Sequence, residues 1–255
     1  MKSGKSDALF TFNSDCLING PDSLFVHLTN MIKTFIVHGN APYYLLVCTL
    51  VPIVKDNLSD LSKSENYRAI AIGSLILKLL DWVILILEAE NLETDQLQFG
   101  FEAMSSTTMC TWAVNTVVEH YMNKGKTVYA CSMDCSKAFD MVEWVALFIE
   151  LMKRGVKAVF VRLLMNIYKD QYCDVRWNGS YSHRFSISNG VRQGSVSSPI
   201  LFSCYIDRLI KILRKSNIGC RIGEEYFGVF VFADDIFLLA ASRPGLQAMV
   251  PKQRV

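Results

Sequence analysis

The segment Tyr226-Phe-Gly-Val-Phe-Val-Phe-Ala-Asp-Asp-Ile-Phe-Leu-Leu-Ala240 decides how this chain folds. Aromatic and aliphatic runs flank Asp234 and Asp235, which predicts two buried strands joined by a turn that carries both carboxylates. Ionised carboxylates in apolar surroundings need counter-charge, and a divalent cation is the usual partner. On this segment alone, a surface turn in an ordinary hairpin is the simpler interpretation.

A second acidic position changes that balance. The run Lys126-Thr-Val-Tyr-Ala-Cys-Ser-Met-Asp134 predicts a strand ending at Asp134, and apolar residues at helical spacing predict a helix over residues 142–154. A strand that places Asp134 beside the later acidic pair would give three carboxylates, enough to hold two Mg²⁺ ions about 3.5–4 Å apart for nucleotidyl transfer. Mg²⁺ suits such a site because it takes hard oxygen ligands and is completed by substrate phosphates. Mn²⁺ is the alternative ion.

Six segments in order resemble the motifs of reverse transcriptases, most closely those of non-LTR retrotransposons. The A, B and C motifs correspond to Asp134-Cys-Ser-Lys-Ala-Phe-Asp140, Gly190-Val-Arg-Gln-Gly-Ser-Val-Ser-Ser-Pro-Ile-Leu-Phe202 and Phe232-Ala-Asp-Asp235. The fingers segments correspond to Val51-Pro-Ile-Val-Lys55, Asn66-Tyr-Arg-Ala-Ile70, and Gln98-Phe-Gly-Phe101 followed by Ser106-Thr-Thr108. The resemblance covers residues 45–240.

The resemblance implies an α+β fold, that of a right-hand polymerase in which helices pack on a small antiparallel sheet. We expect residues 1–45 to be an N-terminal extension of uncertain role, residues 46–125 the fingers, and residues 126–255 the palm with its three motifs. Residues 157–188 are a candidate fingers insertion. Because the chain stops soon after the acidic hairpin, we expect it to be truncated before the thumb and to lack processive activity.

The activity implied is that of an RNA-directed DNA polymerase, which adds dNTPs to a DNA primer on an RNA template. Asp134 and Asp234 are the candidate metal ligands, and Asp235 is a third ligand or a neighbouring carboxylate. Two Mg²⁺ ions would activate the primer 3′-hydroxyl and hold the triphosphate. A partner that supplies the missing thumb is unknown.

Five further residues match substrate-binding positions of the family. Lys55 and Arg68 match positions that pair with triphosphate oxygens, although a solvated surface lysine is a serious rival for Lys55. Phe139 matches the aromatic that packs against the sugar and rejects a 2′-hydroxyl, and an ordinary core phenylalanine is the alternative. Gln193 and Gly194 match the loop that backs the nascent base pair.

Two neighbouring residues receive mainly structural interpretations. Asp140 is predicted to cap the following helix. Arg192 is predicted to be an exposed arginine, and contact with a phosphate is the alternative. Departures from the family pattern at Ala69, Glu102 and Ser197 put activity in doubt, because Glu102 brings negative charge toward phosphates.

Composition bounds the remaining possibilities. The net charge of +2 is small for a protein that binds a nucleic-acid duplex, since such proteins usually have a clear excess of basic residues. The eight cysteines include no Cys-x-x-Cys pair, which argues against zinc. The N-terminus lacks a secretory signal, so we expect an intracellular protein of otherwise unknown location with reduced thiols. The apolar stretch over residues 69–89 contains Lys78 and Asp81, which favours a buried helix from Leu75 over a membrane anchor.

Two alternative functions stay open at this stage. An RNA-dependent RNA polymerase shares the metal chemistry, but it is expected to carry Gly-Asp-Asp where this chain has Ala233-Asp234-Asp235. The other alternative is a non-catalytic remnant of a reverse transcriptase, whose aspartates have not yet been lost.

Overall fold

The computed structural model describes residues 3–5, 7, 13–56, 58, 60–102, 104–135 and 137–250. The chain divides into two compact units. Unit 1 contains Met1–Leu92 and Phe139–Ser198, and unit 2 contains Glu93–Ala138 and Pro199–Val255. Both units are therefore built from two separate stretches of sequence. The division of the chain into fingers and palm at residue 126 stays a prediction.

The described residues form α-helices together with small sheets of short strands, which confirms the predicted α+β class. The helices are α1 (Ser14–Ile18), α2 (Asp22–His38), α3 (Tyr43–Leu46), α4 (Leu75–Leu87), α5 (Thr107–Met122), α6 (Trp144–Lys153), α7 (Ala158–Lys169), α8 (Ser198–Lys215) and α9 (Arg243–Met249). The strands are β1 (Val47–Val54), β2 (Tyr67–Ile72), β3 (Tyr129–Asp134), β4 (Tyr172–Trp177), β5 (Ser180–Tyr181), β6 (Phe185–Ser186), β7 (Arg221–Ile222), β8 (Glu225–Tyr226), β9 (Val229–Phe232) and β10 (Asp235–Ala240).

Unit 1 has a sheet in the order β2-β1-β4-β5, with β6 also paired to β4. β1 is antiparallel to β2 and parallel to β4. A tight turn joins β4 to β5, in which Asn178 and Gly179 have φ values of 46° and 80°, the left-handed region that tight hairpin turns require. Strand β6 contains only Phe185 and Ser186.

Helix α4 begins at Leu75, as predicted, because the Ser74 hydroxyl accepts a hydrogen bond from the backbone N–H of Ile76 at 3.2 Å. The preceding part of the apolar stretch forms β2 rather than helix. One face of α4 is buried, whereas Trp82 and Ile86 on another face are 48% and 70% exposed. Within the part of the chain that the structure describes, no helix is both long and apolar enough to cross a bilayer.

Unit 2 has a three-stranded antiparallel sheet in the order β3-β10-β9. The β9 side chains Val229, Phe230 and Val231 are fully buried or nearly so, and so are Leu238 and Leu239 of β10. These apolar runs explain why the two strands form the centre of this unit. Helix α9 packs against β10 and β3, and helix α5 packs against β9. The last residues of β3 and β9 lie beside the first residue of β10, because Asp235 pairs with both Asp134 and Phe232.

Candidate nucleotidyl-transfer site

The acidic pair lies in a tight turn between β9 and β10. Phe232 is the register partner of Asp235, so Ala233 and Asp234 alone connect the two strands. Ala233 has a φ of 56°, a conformation that costs an L-residue with a side chain roughly 1–2 kcal/mol. The buried strands on both sides hold the turn in this geometry, and Asp234 and Asp235 are exposed at its tip.

The predicted convergence of the third aspartate with this pair is confirmed. Asp134, the last residue of β3, is the register partner of Asp235. Directly opposed residues of antiparallel strands have Cα atoms about 4.5–5.5 Å apart and side chains on the same face. The backbone N–H of Cys135 also donates to the carbonyl of Asp234 at 3.2 Å, which ties the end of β3 to the turn.

The negative charges of all three carboxylates affect the pKa of the Cys135 thiol. Its pKa is raised, first by burial and then by the negative charges of Asp134, Asp234 and Asp235. The Cys135 thiol therefore lies near three carboxylates that are far apart in the sequence.

The carboxylates are not closed into a metal cage in this structure. Among the described residues, no three His, Cys, Asp or Glu side chains are gathered closely enough to hold a metal ion. No basic side chain in the described ranges forms an ion pair with Asp134, Asp234 or Asp235. Within the described part of the chain, their negative charge is thus not balanced by an ion pair.

The segment Leu97–Gly100 supports the acidic turn, a role that the sequence did not reveal. Val231 donates to the carbonyl of Leu97 at 2.8 Å, and Phe99 donates to the carbonyl of Val231 at 2.7 Å. A Cβ atom on Gly100 would lie 2.0 Å from the backbone nitrogen of Ala233. The side-chain oxygen of Gln98 in turn accepts from the N–H of Gly100 at 2.9 Å. The sequence did contain one indication of this role, because Gly100 lies within the motif Gln98-Phe-Gly-Phe101.

In unit 1, Lys55 and Arg68 lie on one face of the sheet. Arg68 pairs with Ile53, and the N–H of Lys55 continues the ladder by donating to the carbonyl of Asn66 at 2.9 Å. Since residues two apart on a strand share a face, Lys55 and Arg68 are diagonal neighbours. Both are exposed, and the Lys55 ammonium donates to the carbonyl of Glu65 at 2.8 Å.

The loop with Gln193 and Gly194 is fixed to β2 and to the segment after β3. Ala71 donates to the carbonyl of Gln193 at 2.7 Å, and the Gln193 side-chain amide donates to the Asp140 carboxylate at 3.1 Å. Gly194 has a φ of 114°, and a Cβ there would lie 2.6 Å from the carbonyl oxygen of Ala71. The protein's own strand therefore already requires glycine at this position.

Phe139 is half-buried in a short 3₁₀ helix, Ala138–Met141, rather than in the core. Its carbonyl accepts from the N–H of Val191 at 2.7 Å, so it too is tied to the same loop. The prediction that Asp140 caps the next helix is wrong, because Asp140 lies inside the 3₁₀ helix and Glu143 is the N-cap residue of α6. Asp140 instead accepts from Gln193.

The prediction that Arg192 is exposed is also wrong. Its guanidinium carbon lies 5.9 Å from the ring centre of Tyr168, within the range of a cation–π contact, and its Nε atom is buried. The side chain is thus packed against a buried aromatic. Sequence reasoning treats an isolated arginine as exposed because it has no view of a neighbouring tyrosine.

Asp81 is a second residue whose role was missed. It is 4% exposed, and its carboxylate accepts from the hydroxyl of Ser195 and from the N–H of Ser197 at 3.4 Å. It joins α4 to the loop that follows Gly194. An acidic residue inside an apolar helix was the signal, because a buried carboxylate requires donors.

Known proteins match this chain over most of its length. Residues 54–254 match the family described as "Reverse transcriptase (RNA-dependent DNA polymerase)". A retrovirus-related Pol polyprotein from a type-2 retrotransposable element of Drosophila melanogaster is 28% identical over 232 residues, covering 91% of this chain and 21% of that protein. The corresponding Pol polyprotein from a type-1 element of Popillia japonica is 29% identical over 214 residues, covering 82% of this chain and 30% of that protein.

A solved structure shares the fold. Apo telomerase from Candida tropicalis, truncated from its C-terminal domain, superposes with a TM-score of 0.59 at 16% sequence identity. The match covers 88% of this chain and 50% of the telomerase chain. The chain thus spans less than a third of the two Pol polyproteins and half of the telomerase chain.

Proposed function

Because this chain belongs to the reverse transcriptase family, of the kind found in Pol polyproteins of non-LTR retrotransposons, we propose that it adds deoxynucleotides to the 3′ end of a DNA primer on an RNA template. The observation that carries the proposal is the register of β3 and β10, which sets Asp134 opposite Asp235 beside Asp234. The substrates proposed are the dNTPs, the primer and the template RNA.

Reverse transcriptases use divalent metal ions, and the three aspartates fit such ions. Their oxygens are the hard ligands that Mg²⁺ prefers, and their charge has no cationic partner among the described side chains. An open arrangement also fits, because Mg²⁺ is usually held by one or two carboxylates, waters and substrate phosphates rather than by an all-protein cage. When bound, two such ions lower the pKa of the attacking hydroxyl and neutralise charge on the leaving group.

The protein's part in this chemistry is to hold the carboxylates in place. Asp134 and Asp234 are proposed as direct ligands, and Asp235 as a third ligand or as a group that orients the others. The exposed carboxylates of Asp234 and Asp235 can be placed precisely, since the buried strands β9 and β10 carry the packing and the aspartates do not. No nucleophilic side chain is required, because positioning and charge neutralisation do most of the work in phosphoryl transfer.

The residues of unit 1 are proposed to bind substrate. Arg68 and Lys55 share a solvent-facing sheet surface, which supports a role in binding triphosphate oxygens. Gln193 and Gly194 are proposed to back the new base pair, and their fixed backbone supports that role. Phe139 is proposed to pack on the sugar, since a half-buried ring keeps one surface for a ligand.

Primer extension on poly(rA)/oligo(dT) with Mg²⁺ or Mn²⁺ tests the proposal. Asp234→Asn and Asp134→Asn should lose the signal, because each removes a charged metal ligand while keeping the side-chain shape. Glu225→Gln, which neutralises an exposed carboxylate elsewhere in unit 2, is the matched control and should retain it. Equal extension by wild type and Asp234→Asn would place any activity elsewhere.

Metal binding provides a second measurement that needs no polymerisation. Titration with Mn²⁺, followed by electron paramagnetic resonance, should show bound ion in the wild type and weaker binding in Asp134→Asn. A wild type without bound Mn²⁺ in the presence of dNTP and primer–template would contradict the site. Preference for dNTP over NTP, compared between wild type and Phe139→Ala, tests the sugar contact and separates a DNA polymerase from an RNA polymerase.

A further inference from the structure

Two cysteines of unit 1 face each other across neighbouring strands. Cys48 of β1 and Cys173 of β4 are register partners, and their sulfur atoms are 2.8 Å apart. Both residues have no exposed surface. From this geometry we propose that Cys48 and Cys173 are a redox modification site, at which a small peroxide converts the two thiols into a disulfide that joins β1 to β4. The inference does not depend on the proposed polymerase activity.

The backbone already meets the requirement for a disulfide. Cysteines in natural disulfides have Cα atoms about 4.4–6.8 Å apart, and neighbouring strands are about 4.7–4.9 Å apart along the hydrogen bonds. A covalent sulfur–sulfur bond is about 2.05 Å long, so sulfurs 2.8 Å apart need to approach by less than about 1 Å. The bond can therefore form without separating or shifting the two strands.

Cys48 is the proposed attacking thiol. Its pKa is lowered, mainly by the hydrogen bond with Cys173 and to a smaller extent by the positive charge of Arg192 and by Gln171, whereas burial and the negative charge of Asp174 oppose this shift. The buried side-chain amide of Gln171 lies 3.7 Å from the sulfur of Cys48 and 3.9 Å from that of Cys173. The pKa of Cys173 is raised by its hydrogen bond to Cys48 and by burial. The pair therefore holds one proton more tightly than the other.

The chemistry balances with hydrogen peroxide as the oxidant. The Cys48 thiolate attacks one peroxide oxygen, the O–O bond breaks, and the hydroxide that leaves takes up the proton released by the thiol, giving a sulfenic acid and one water. The Cys173 sulfur then attacks the Cys48 sulfur, the S–O bond breaks, and the leaving hydroxide takes up the Cys173 thiol proton, so that a second water leaves. Two thiols lose two electrons, and the peroxide gains them. A small peroxide is the fitting oxidant, because a bulky disulfide cannot reach thiols without exposed surface.

Cys220 provides an internal comparison. It is also fully buried, but it lies in unit 2, and burial raises the pKa of its thiol, opposed by a hydrogen bond with Tyr121. Burial alone therefore does not create a site of this kind. A neighbouring thiol at the right distance and an acidified partner distinguish Cys48 from Cys220.

The full chain, reduced and desalted, is exposed to hydrogen peroxide, alkylated in denaturant, digested and analysed by mass spectrometry. Cys48 and Cys173 should lose alkylation together, and a peptide linked through both should appear with the loss of two hydrogens. Cys220 should stay alkylated. Oxidation of Cys48 or Cys173 to the extent seen at Cys220, or to sulfinic acid without the linked peptide, would overturn the proposal.

The same treatment of the urea-unfolded chain tests whether the fold directs the reaction. The linked peptide should fall at least about tenfold, because the folded strands hold the sulfurs in place. Equal linkage in both states would show that the pairing is not a property of the structure. In Cys173→Ser, the sulfenic acid on Cys48 should persist and be trapped by dimedone added together with the denaturant, whereas Cys220→Ser should still form the link. If Cys173→Ser does not fold, the wild-type peptide map still decides.

Discussion

The backbone of Gly100 lies against the backbone of Ala233 within the acidic turn. A Cβ atom on residue 100 would be 2.0 Å from the nitrogen and 2.7 Å from the Cα of Ala233. Backbone atoms cannot move aside as the end of a flexible side chain can, so the contact leaves no room for any other residue. The glycine therefore fixes where Asp234 and Asp235 stand relative to the segment Leu97–Gly100.

Gly100→Ala should displace the turn. We expect the free energy of unfolding to fall by about 1–3 kcal/mol, as for other overpacked sites, and Mn²⁺ binding by the aspartates to weaken. Urea denaturation and Mn²⁺ titration measure the two effects. Gly73→Ala is the matched control, because its added Cβ would meet only Arg192, at 3.8 Å, and its stability should change by less than about 0.5 kcal/mol. Equal stability of Gly100→Ala and wild type would contradict the close contact.

Ala233→Gly should act in the opposite direction. Glycine adopts a φ of 56° without a Cβ clash, so the substitution should raise the free energy of unfolding by up to about 1 kcal/mol. Ala130→Gly, in the regular part of β3, should lower it by about 0.5–1 kcal/mol. Chemical denaturation of both variants shows whether each substitution raises or lowers the free energy of unfolding. A loss of stability in Ala233→Gly as large as that in Ala130→Gly would show that the turn is not strained.

Asp81→Leu should destabilise unit 1. The substitution leaves the Ser195 hydroxyl and the Ser197 N–H without their acceptor, and unsatisfied buried donors cost about 1–3 kcal/mol. Asp81→Asn keeps an acceptor oxygen, so its free energy of unfolding should fall less. Urea denaturation ranks the three proteins. If Asp81→Leu is as stable as wild type, the carboxylate does not hold the loop.

Tyr168 and Tyr226 should make the folded chain less stable in alkali. Burial raises the pKa of each phenol from 10.0 to about 12. The folded chain therefore binds more protons than the unfolded chain between these values, and the free energy of unfolding falls as the pH rises from 10 to 12. This contribution is fully present below pH 10.

Tyr168→Phe should flatten that pH dependence. It removes one of the two groups, and the slope should decrease by at most about 1.4 kcal/mol per pH unit. Denaturation in urea at several pH values gives the slope. Tyr181→Phe, at an exposed position, controls for loss of a hydroxyl group. An unchanged slope in Tyr168→Phe would mean that this phenol does not titrate in the window.

Arg68→Ala should raise the KM for dNTP in primer extension. Loss of charge-assisted hydrogen bonds worth about 1.5–3 kcal/mol corresponds to roughly a tenfold to hundredfold increase. The KM of Arg68→Lys should lie between those of the wild type and Arg68→Ala, since lysine keeps the charge but cannot form two parallel hydrogen bonds. Lys63→Ala, on the exposed connection between β1 and β2, is the control. A fall in kcat with an unchanged KM would argue against ground-state triphosphate binding by Arg68.

Sequence reasoning located the acidic hairpin because its signal is local. Period and composition predict strands on both sides of Asp234, and the motif order adds Asp134. The same reasoning failed for Arg192 and Asp140, whose surroundings come from distant segments. Tyr168 packs on the arginine, and Gln193 binds the aspartate. Contacts of this kind leave no trace in the spacing of one chain.

Two further residues, Gly100 and Asp81, stood out in the sequence, but their structural roles could not be predicted from it. Gly100 stood inside a motif, and Asp81 stood inside an apolar run, but neither observation names the atom that each residue meets. Only the folded chain brings Gly100 against Ala233, and Asp81 within reach of Ser195 and Ser197. The pairing of Cys48 with Cys173 had no sequence signal, because the parallel partner of a strand is set by topology.

The pairing of β3 with β10 makes the position of Asp134 depend on the number of residues in β3. Side chains alternate along a strand, so deletion of a single codon between Tyr129 and Met133 would turn Asp134 to the opposite side of the ribbon or pull the strand out of step. Deletion of two codons would restore the alternation at the expense of length. A variant that lacks one of these residues should therefore lose the proposed metal site even though it keeps all three aspartates.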